Sequence, residues 1–496
     1  MNNLLWLLAI PLVTIFVLIF CNDKRQYRLS AAFGMGLQLL YSFYLVFRYT
    51  AERASGNIEQ MVFVHEYKWF DSLNIVFTTG IDAISLALVV LTAVVTFTGI
   101  LVSWNMEKLP KEFFISLITL ATGVFGFFIT IDLFTMFLFY ELAVIPMYIL
   151  IGIWGSGKKE YAAMKLTLML MGASALLLVG ILGLYTYSST DVNLLSFNIL
   201  DIANANIPVD IQKFFFPMVF IGFGVLGALF PLHTWSPDGH SSAPTAVSML
   251  HAGVLMKMGG YGCLRVAMYL LPEAAKELAW IFIILTTISI VYGAFGAIAQ
   301  KDLKYINAYS SVSHCGLVLF AILMMNQTAL NGSVLQMISH GLMTALFFAL
   351  IGMIYERTHT RDIRLMGGLM KIMPFLGVCY MIAGFASLGL PGLSGFVAEI
   401  NVFVGAFMHT DSFHRVATVI AVSSIVITAV YILRVIGALL LGPLDVEHEF
   451  ETGDARWYER WANIILIVSI AAIGIAPLWL SDALIKSLQP IIQKLQ

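Results

Sequence analysis

The sequence predicts an all-α, polytopic membrane protein with about 14 transmembrane helices, and three observations carry that prediction. The 496 residues are 60% hydrophobic and 11% charged, with a mean hydropathy of +0.89; a soluble domain runs nearer ~45–50% apolar and ~25% charged. Apolar stretches long enough to cross a bilayer, about 20 residues each, recur along the chain. A transmembrane barrel would instead show short segments of alternating polarity. The longest polar gaps, 49–81, 188–212 and 443–459, are too short for a soluble catalytic domain.

In chain order the candidate spans fall near 3–20, 30–48, 82–104, 112–130, 132–154, 161–187, 213–232, 244–271, 278–299, 303–325, 329–355, 371–408, 414–442 and 460–482. The first has neither a basic leader nor an A-x-A site before NDKRQYR, so it reads as a retained helix rather than a signal peptide. The seventh span is interrupted at Pro231 and the polar run that follows; the twelfth is interrupted at Pro391 among Gly389, Gly392 and Gly395. Proline removes a backbone donor and glycine weakens the helix around it. Such breaks survive in lipid only where protein or a water-filled cavity covers them. Paired breaks in corresponding positions point to two inverted five-helix repeats, helices 4–8 and 9–13. The domains then run 1–110 (helices 1–3), 111–271 (first repeat), 272–442 (second repeat) and 443–496 (cytoplasmic loop and helix 14).

Lys and Arg set the orientation. Fifteen lie in one set of alternate loops, from Lys24 to Arg460, against eight in the other. The first set faces the cytoplasm, and an even number of spans leaves both termini on the opposite side. A net charge of −2 without a basic patch points to no nucleic-acid partner; the lipid bilayer is the surrounding medium. Cys21, Cys263, Cys315 and Cys379 are far apart, so neither an iron–sulfur cluster nor a metal site is expected. Two motif matches are decoys. GFGVLG (222–227) lies within an apolar span, where small residues let helices approach closely. GIWGSGKK (152–159) lacks the Ser/Thr of a P-loop and follows a membrane helix.

Ionisable residues inside the spans carry the functional argument. Glu141, Lys165, Lys257, His314, His340 and Glu399 lie within apolar helices, with His251 on the helix of Lys257. Each such group costs at least ~2.5–3.5 kcal/mol to insert, so its presence needs a reason. Glu, Lys and His can exchange protons once burial draws them toward neutrality. The alternative is polar glue between helices. Asp82 and Asp132 sit at helix starts and read as caps. His233, Asp238 and His240, after the break in the seventh span, read as a solvated loop or proton-uptake region. The run ERTHTRDIR (356–364) reads as a charged cytoplasmic loop that anchors helix ends or a neighbouring subunit.

The stretches PLHTWSPDGHSSAPT (231–245), HAGVLMKMGGYG (251–262), YELAVIPMYILIGIWG (140–155), YSSVSHCGLV (309–318), ISHGLMTALFFALIGMIYERTHTRDI (338–363) and SLGLPGLSGFVAEI (387–400) resemble the antiporter-like subunits of proton-pumping NADH:quinone oxidoreductase (complex I). Glu399 and the chain length resemble the M, or subunit 4, type. The same motifs occur in cation/proton antiporter and membrane-bound hydrogenase subunits, which are the alternative. The resemblance implies proton translocation through hydrated half-channels in a bacterial inner-membrane complex, with both termini periplasmic. It implies Glu141 as a modulating carboxylate, Lys257 as the central proton-holding lysine, His314 and His340 as relays, and Glu399 as the exit-side group or the link to the next subunit. It implies no cofactor here, with FMN, iron–sulfur clusters and quinone in partner subunits of a peripheral redox arm. The membrane partners implied are sister antiporter-like subunits. One position departs from the family pattern: Leu226 stands where a lysine usually pairs with the carboxylate of the fifth helix. Lys165 and His251 are the candidate substitutes, the alternative being a protonated Glu141 without a partner.

Overall fold

The computed structural model describes residues 3–70, 74–191, 194–443 and 453–496. The predicted cytoplasmic loop at 443–459 therefore lies partly outside the described residues. Helix occupies each of the fourteen predicted spans. Among the described residues eleven helices are long and apolar enough to cross a membrane, and three shorter apolar helices cover Trp6–Phe20, Pro374–Ser387 and Ser394–Phe407. The helix Gln327–Thr358 is the central post, its apolar stretch wholly enclosed, with Leu303–Leu323 nearly so. Helices that face outward carry exposed apolar side chains, among them Leu168, Phe295, Val426 and Trp461. That is the inside-out surface a lipid-embedded protein needs.

Both predicted breaks are present, and their loose backbone groups find protein partners. The seventh span runs Val209–Leu226, then an irregular turn, then Trp235–Ser242. Trp235 Nε1 donates to the Val225 carbonyl at 3.1 Å and Ser289 Oγ accepts from Phe230 N at 2.7 Å. The twelfth runs Pro374–Ser387 and Ser394–Phe407, joined by a turn with Gly389 at φ +64° and Gly392 at φ +91°. The last long span, Trp457–Ile475, covers that turn closely enough that a Cβ on Gly474 would meet Leu393 Cα at 2.4 Å. Buried polar backbone in a membrane must be satisfied internally, and here side chains and a neighbouring helix do so.

Among the described residues, three features beyond the predicted helices bear on the fold. The gap at 49–81 holds an antiparallel hairpin, β1 (Val62–Phe70) and β2 (Ile75–Ile81), after a second helix that continues to Ala54. The gap at 188–212 holds a short helix, Ile199–Asn204. The predicted last span divides at Pro477, and a separate helix, Leu478–Leu495, follows. Its buried residues Leu480, Leu484, Leu488, Ile491 and Leu495 form one stripe, which lies against the central post. That stripe is too narrow to register as a span, which is why a hydropathy reading misses it.

Close helix crossings depend on small residues. A Cβ on Gly259 would lie 2.4 Å from Gly227 N and 2.6 Å from Phe223 O, both backbone atoms that cannot swing away. Gly172, by contrast, has nothing within 4 Å. Gly259→Ala should therefore lower the thermal midpoint of the detergent-purified protein, at a cost of about 1–3 kcal/mol for overpacking. Gly172→Ala should leave the midpoint unchanged or raise it.

Candidate functional site: a buried line of ionisable side chains

Lys257 lies on the eighth span, a helical run from Thr245 to Met268 that contains two π-helical turns, His251–Leu255 and Cys263–Met268. In the first, Met256 N donates five residues back to the His251 carbonyl. The ordinary α-helical acceptor for that donor would be Ala252 O, and the Lys257 ammonium hydrogen-bonds to that carbonyl. The π turn thus turns a backbone acceptor toward the lysine. Lys257 is enclosed, and its second partner is His340, with Nζ 2.9 Å from Nδ1.

From His340 polar contacts run in two directions, to hydroxyls at one ring nitrogen and to the His314 ring at its face. His340 Nε2 lies 3.3 Å from Ser311 Oγ, which lies 3.2 Å from Thr344 Oγ1. This network assigns the Nε2–H tautomer to His340 and leaves Nδ1 to accept from the lysine. The His340 ring stacks on His314 with centroids 5.2 Å apart. Gln336 Nε2 donates to His314 Nδ1 at 3.1 Å, and Ser387 Oγ lies 3.4 Å from His314 Nε2. Glu399 Oε1 is 3.7 Å from His314 Nδ1, beyond direct hydrogen bonding. A cavity lined by His314, Ser387, Glu399 and Thr428 adjoins this gap; with about 10 Å³ for a water centre it has room for roughly one water. Gly389 makes the carboxylate's seat: a Cβ there would lie 2.7 Å from Glu399 Oε2, and its φ of +64° suits glycine. Lys257, His340, His314 and Glu399, four of the five principal predicted groups, thus form one line through the protein interior.

The structure places the others apart from it. Glu141 shares an outward stripe of Leu133–Trp154 with Ile145, Tyr148 and Ile149, which are 59%, 43% and 40% exposed. Among the described residues it makes no hydrogen bond or ion pair within the chain. Lys165 does not replace the lysine missing at Leu226, because it pairs with Asp238 at 2.7 Å. Tyr305 Oη donates to the other Asp238 oxygen at 3.1 Å. His251 is no substitute either: it packs between Trp235 and His240, with centroids 5.1 and 4.2 Å away. The expected solvated loop at 233–240 is instead enclosed, with His233 and His240 buried and Asp238 half-buried. Those three residues do not converge as a metal site.

Among the described residues, two buried ion pairs are not evident from the sequence. Arg265 pairs with Asp82 at nearly zero exposure on both sides and lies over the Tyr261 ring at 5.5 Å. Asp82 also caps its helix as predicted, accepting from Ser85 N at 3.0 Å. Arg357 reaches both Glu459 oxygens at 3.3 and 2.7 Å, tying the end of the central post to the start of Trp457–Ile475. Lys304, counted among the fifteen loop cations at the edge of the predicted span 303–325, is buried with Nζ 2.6 Å from Ala243 O. Arginine in an apolar run was the available signal for Arg265.

Residues 130–428 match the family model described as NADH:quinone oxidoreductase/Mrp antiporter, transmembrane. The chain is 36% identical over 443 residues to NAD(P)H-quinone oxidoreductase chain 4-2 of Synechocystis, covering 88% of this chain and 78% of that one. It is 34% identical over 472 residues to NADH-quinone oxidoreductase subunit M of Rickettsia prowazekii, covering 94% of each. In fold it is similar to a chain of respiratory complex I from Thermus thermophilus, with TM-score 0.88 and 23% identity over 99% of this chain and 100% of that one. A chain of the Mrp complex from Dietzia gives TM-score 0.84 and 20% identity over 100% of this chain and 99% of that one.

The Lys165–Asp238 contact predicts coupling between those two residues. Lys165→Met and Asp238→Asn should change proton translocation by the same factor, and the double variant should be no worse than either. Glu141→Gln should act independently, so its loss should add to theirs in proteoliposome measurements.

Proposed function

The chain belongs to the NADH:quinone oxidoreductase/Mrp antiporter transmembrane family, and from that premise we propose that it is the M, or chain 4, type proton-translocating subunit of a respiratory complex I. The observation that carries the reading is the enclosed line Lys257–His340–His314–Glu399, whose members can all gain and lose protons. Relatives 34–36% identical over most of the chain are quinone oxidoreductase chains, which favours the redox-driven complex over an antiporter.

In this reading the Lys257 ammonium gives a proton to His340 Nδ1, and His340 releases its own from Nε2 toward Ser311. His314, stacked on His340, is the next proton holder, reached from Ser311 through water, and it passes the proton across the single-water gap to Glu399. Each donor is reset by the next proton arriving behind it. His240 and His251 lie between Lys257 and the basic-loop side, and with His233 they form the proposed uptake path. Glu141, turned outward, is the proposed link to a neighbouring membrane subunit.

The two repeats span 111–271 and 272–442 in this reading, flanked by helices 1–3 over 1–110 and by 443–496. The basic loops face the cytoplasm of a bacterial cell and both termini face the periplasm. Flavin, iron–sulfur clusters and quinone are held by other subunits, so this chain is the non-redox, translocating part of the enzyme. Sister antiporter-like subunits are its membrane partners.

Lys257→Met tests the reading. In the assembled, reconstituted complex the variant should transfer fewer protons per electron, with at least a tenfold loss of translocation through this subunit. Artificial-acceptor reduction by the redox arm should persist. An unchanged proton-to-electron ratio would reject it.

A further inference from the structure

The twelfth and thirteenth spans are joined by a turn whose side chains the proton line does not use. His409, Asp411 and His414 each offer one ligand atom there, and these atoms all lie within 4.8 Å of one another. We propose that this turn binds a divalent transition cation of the zinc class, with His409, Asp411 and His414 as ligands and water in the fourth position.

Capping explains only part of the arrangement. Asp411 is the N-cap of Ser412–Ile436 and accepts from His414 N at 3.0 Å. A cap needs neither imidazole. Yet His414 Nδ1 also lies 2.7 Å from Asp411 Oδ2, and the His409 ring stacks on His414 with centroids 4.2 Å apart and planes 13° from parallel. The second observation lies outside the cluster. His409 Nε2 is 2.8 Å from the Met324 carbonyl, which can only accept, so Nε2 carries the hydrogen and Nδ1 keeps its lone pair. A ring nitrogen held this way by a backbone carbonyl is the usual outer contact of a metal-binding histidine. Asn326 Nδ2, 3.5 Å from the same Nε2, donates to Gly405 O at 2.8 Å and fixes the two turns together.

Two imidazoles and one carboxylate suit zinc or its transition-metal neighbours, whereas calcium and magnesium require mostly oxygen ligands. Tetrahedral bonds of about 2.0–2.2 Å place ligand atoms roughly 3.3–3.5 Å apart, so separations of up to 4.8 Å close by at most about 1.4 Å, and His414 Nδ1 moves off its 2.7 Å contact with Asp411 Oδ2. Asp411 is exposed, and its bonds to His414 N and Nδ1 would rearrange as the cation enters. Arg415 is the opposing charge nearby, and its Nε is engaged with the His409 carbonyl at 3.0 Å. A bound cation would tie the turn after Ser394–Phe407, the helix of Glu399, to the turn at Met324–Asn326 between the helices of His314 and His340.

The test is zinc binding, which does not depend on proton translocation. The assembled complex would be stripped with chelator and titrated with Zn²⁺ against a zinc-responsive dye, as wild type, His409→Ala and Asp411→Asn. Asp411→Asn keeps a capping side chain, so folding is retained while a charged ligand is lost. The expected result is one fewer zinc equivalent per complex, or at least tenfold weaker binding at one site, in both variants. Excess Mg²⁺ or Ca²⁺ should not displace the zinc. Wild-type stoichiometry and affinity in both variants would overturn the proposal, as would displacement by Ca²⁺.

Discussion

An ammonium held in the hydrocarbon thickness of a membrane carries an insertion cost of at least about 2.5–3.5 kcal/mol, and Lys257 meets that cost with two neutral partners, the Ala252 carbonyl and the His340 imidazole. Much of the surrounding structure follows from this constraint. The π turn at His251–Leu255 is what turns the carbonyl toward the ammonium. His340 must stand on the fully enclosed central helix for its ring to meet the lysine. From there the polar line runs to Glu399, whose carboxylate occupies the space over Gly389 that a side chain would fill.

The buried charges fall into two groups with different chemistry. Asp82–Arg265 and Arg357–Glu459 are closed ion pairs; Asp82 and Arg357 also bond backbone, and the Arg265 guanidinium lies against the Tyr261 ring. Arginine does not lose its proton at any working pH, so these pairs hold helix ends in place. Removing one member leaves the other charged and enclosed, at roughly 3–5 kcal/mol. Lys257, His340, His314 and Glu399 are different because no permanent counter-charge closes any of them off. Their neighbours are carbonyls, hydroxyls, amides and each other. A proton arriving at one member changes the balance at the next, which is what a relay requires and a structural clamp avoids.

The line was legible in the sequence because Lys, His and Glu are costly within long apolar runs, where ordinary packing gives them no place. The two broken spans were legible from Pro231 and Pro391 with the glycines beside Pro391. Pairing was not legible, because partners are distant along the chain. Asp82 reads correctly as a cap, but its ion-pair partner lies 183 residues away. Lys165 sits one helix from Glu141 in sequence, yet its carboxylate is Asp238, 73 residues on. Which face of a helix turns outward depends on packing against its neighbours, and with Glu141 that decided whether it joined the line. The hairpin at Val62–Ile81 and the amphipathic C-terminal helix are set by packing rather than by hydropathy, so apolar runs alone do not reveal them.

If Lys257 and Glu399 serve one path in series, blocking either one blocks the whole. The most direct measurement is therefore the number of protons moved per electron in reconstituted complexes carrying Lys257→Met, Glu399→Gln and both changes together. The double variant is expected to lose no more than the more severe single one. Losses that add, with each substitution removing its own separate share, would contradict a single continuous line.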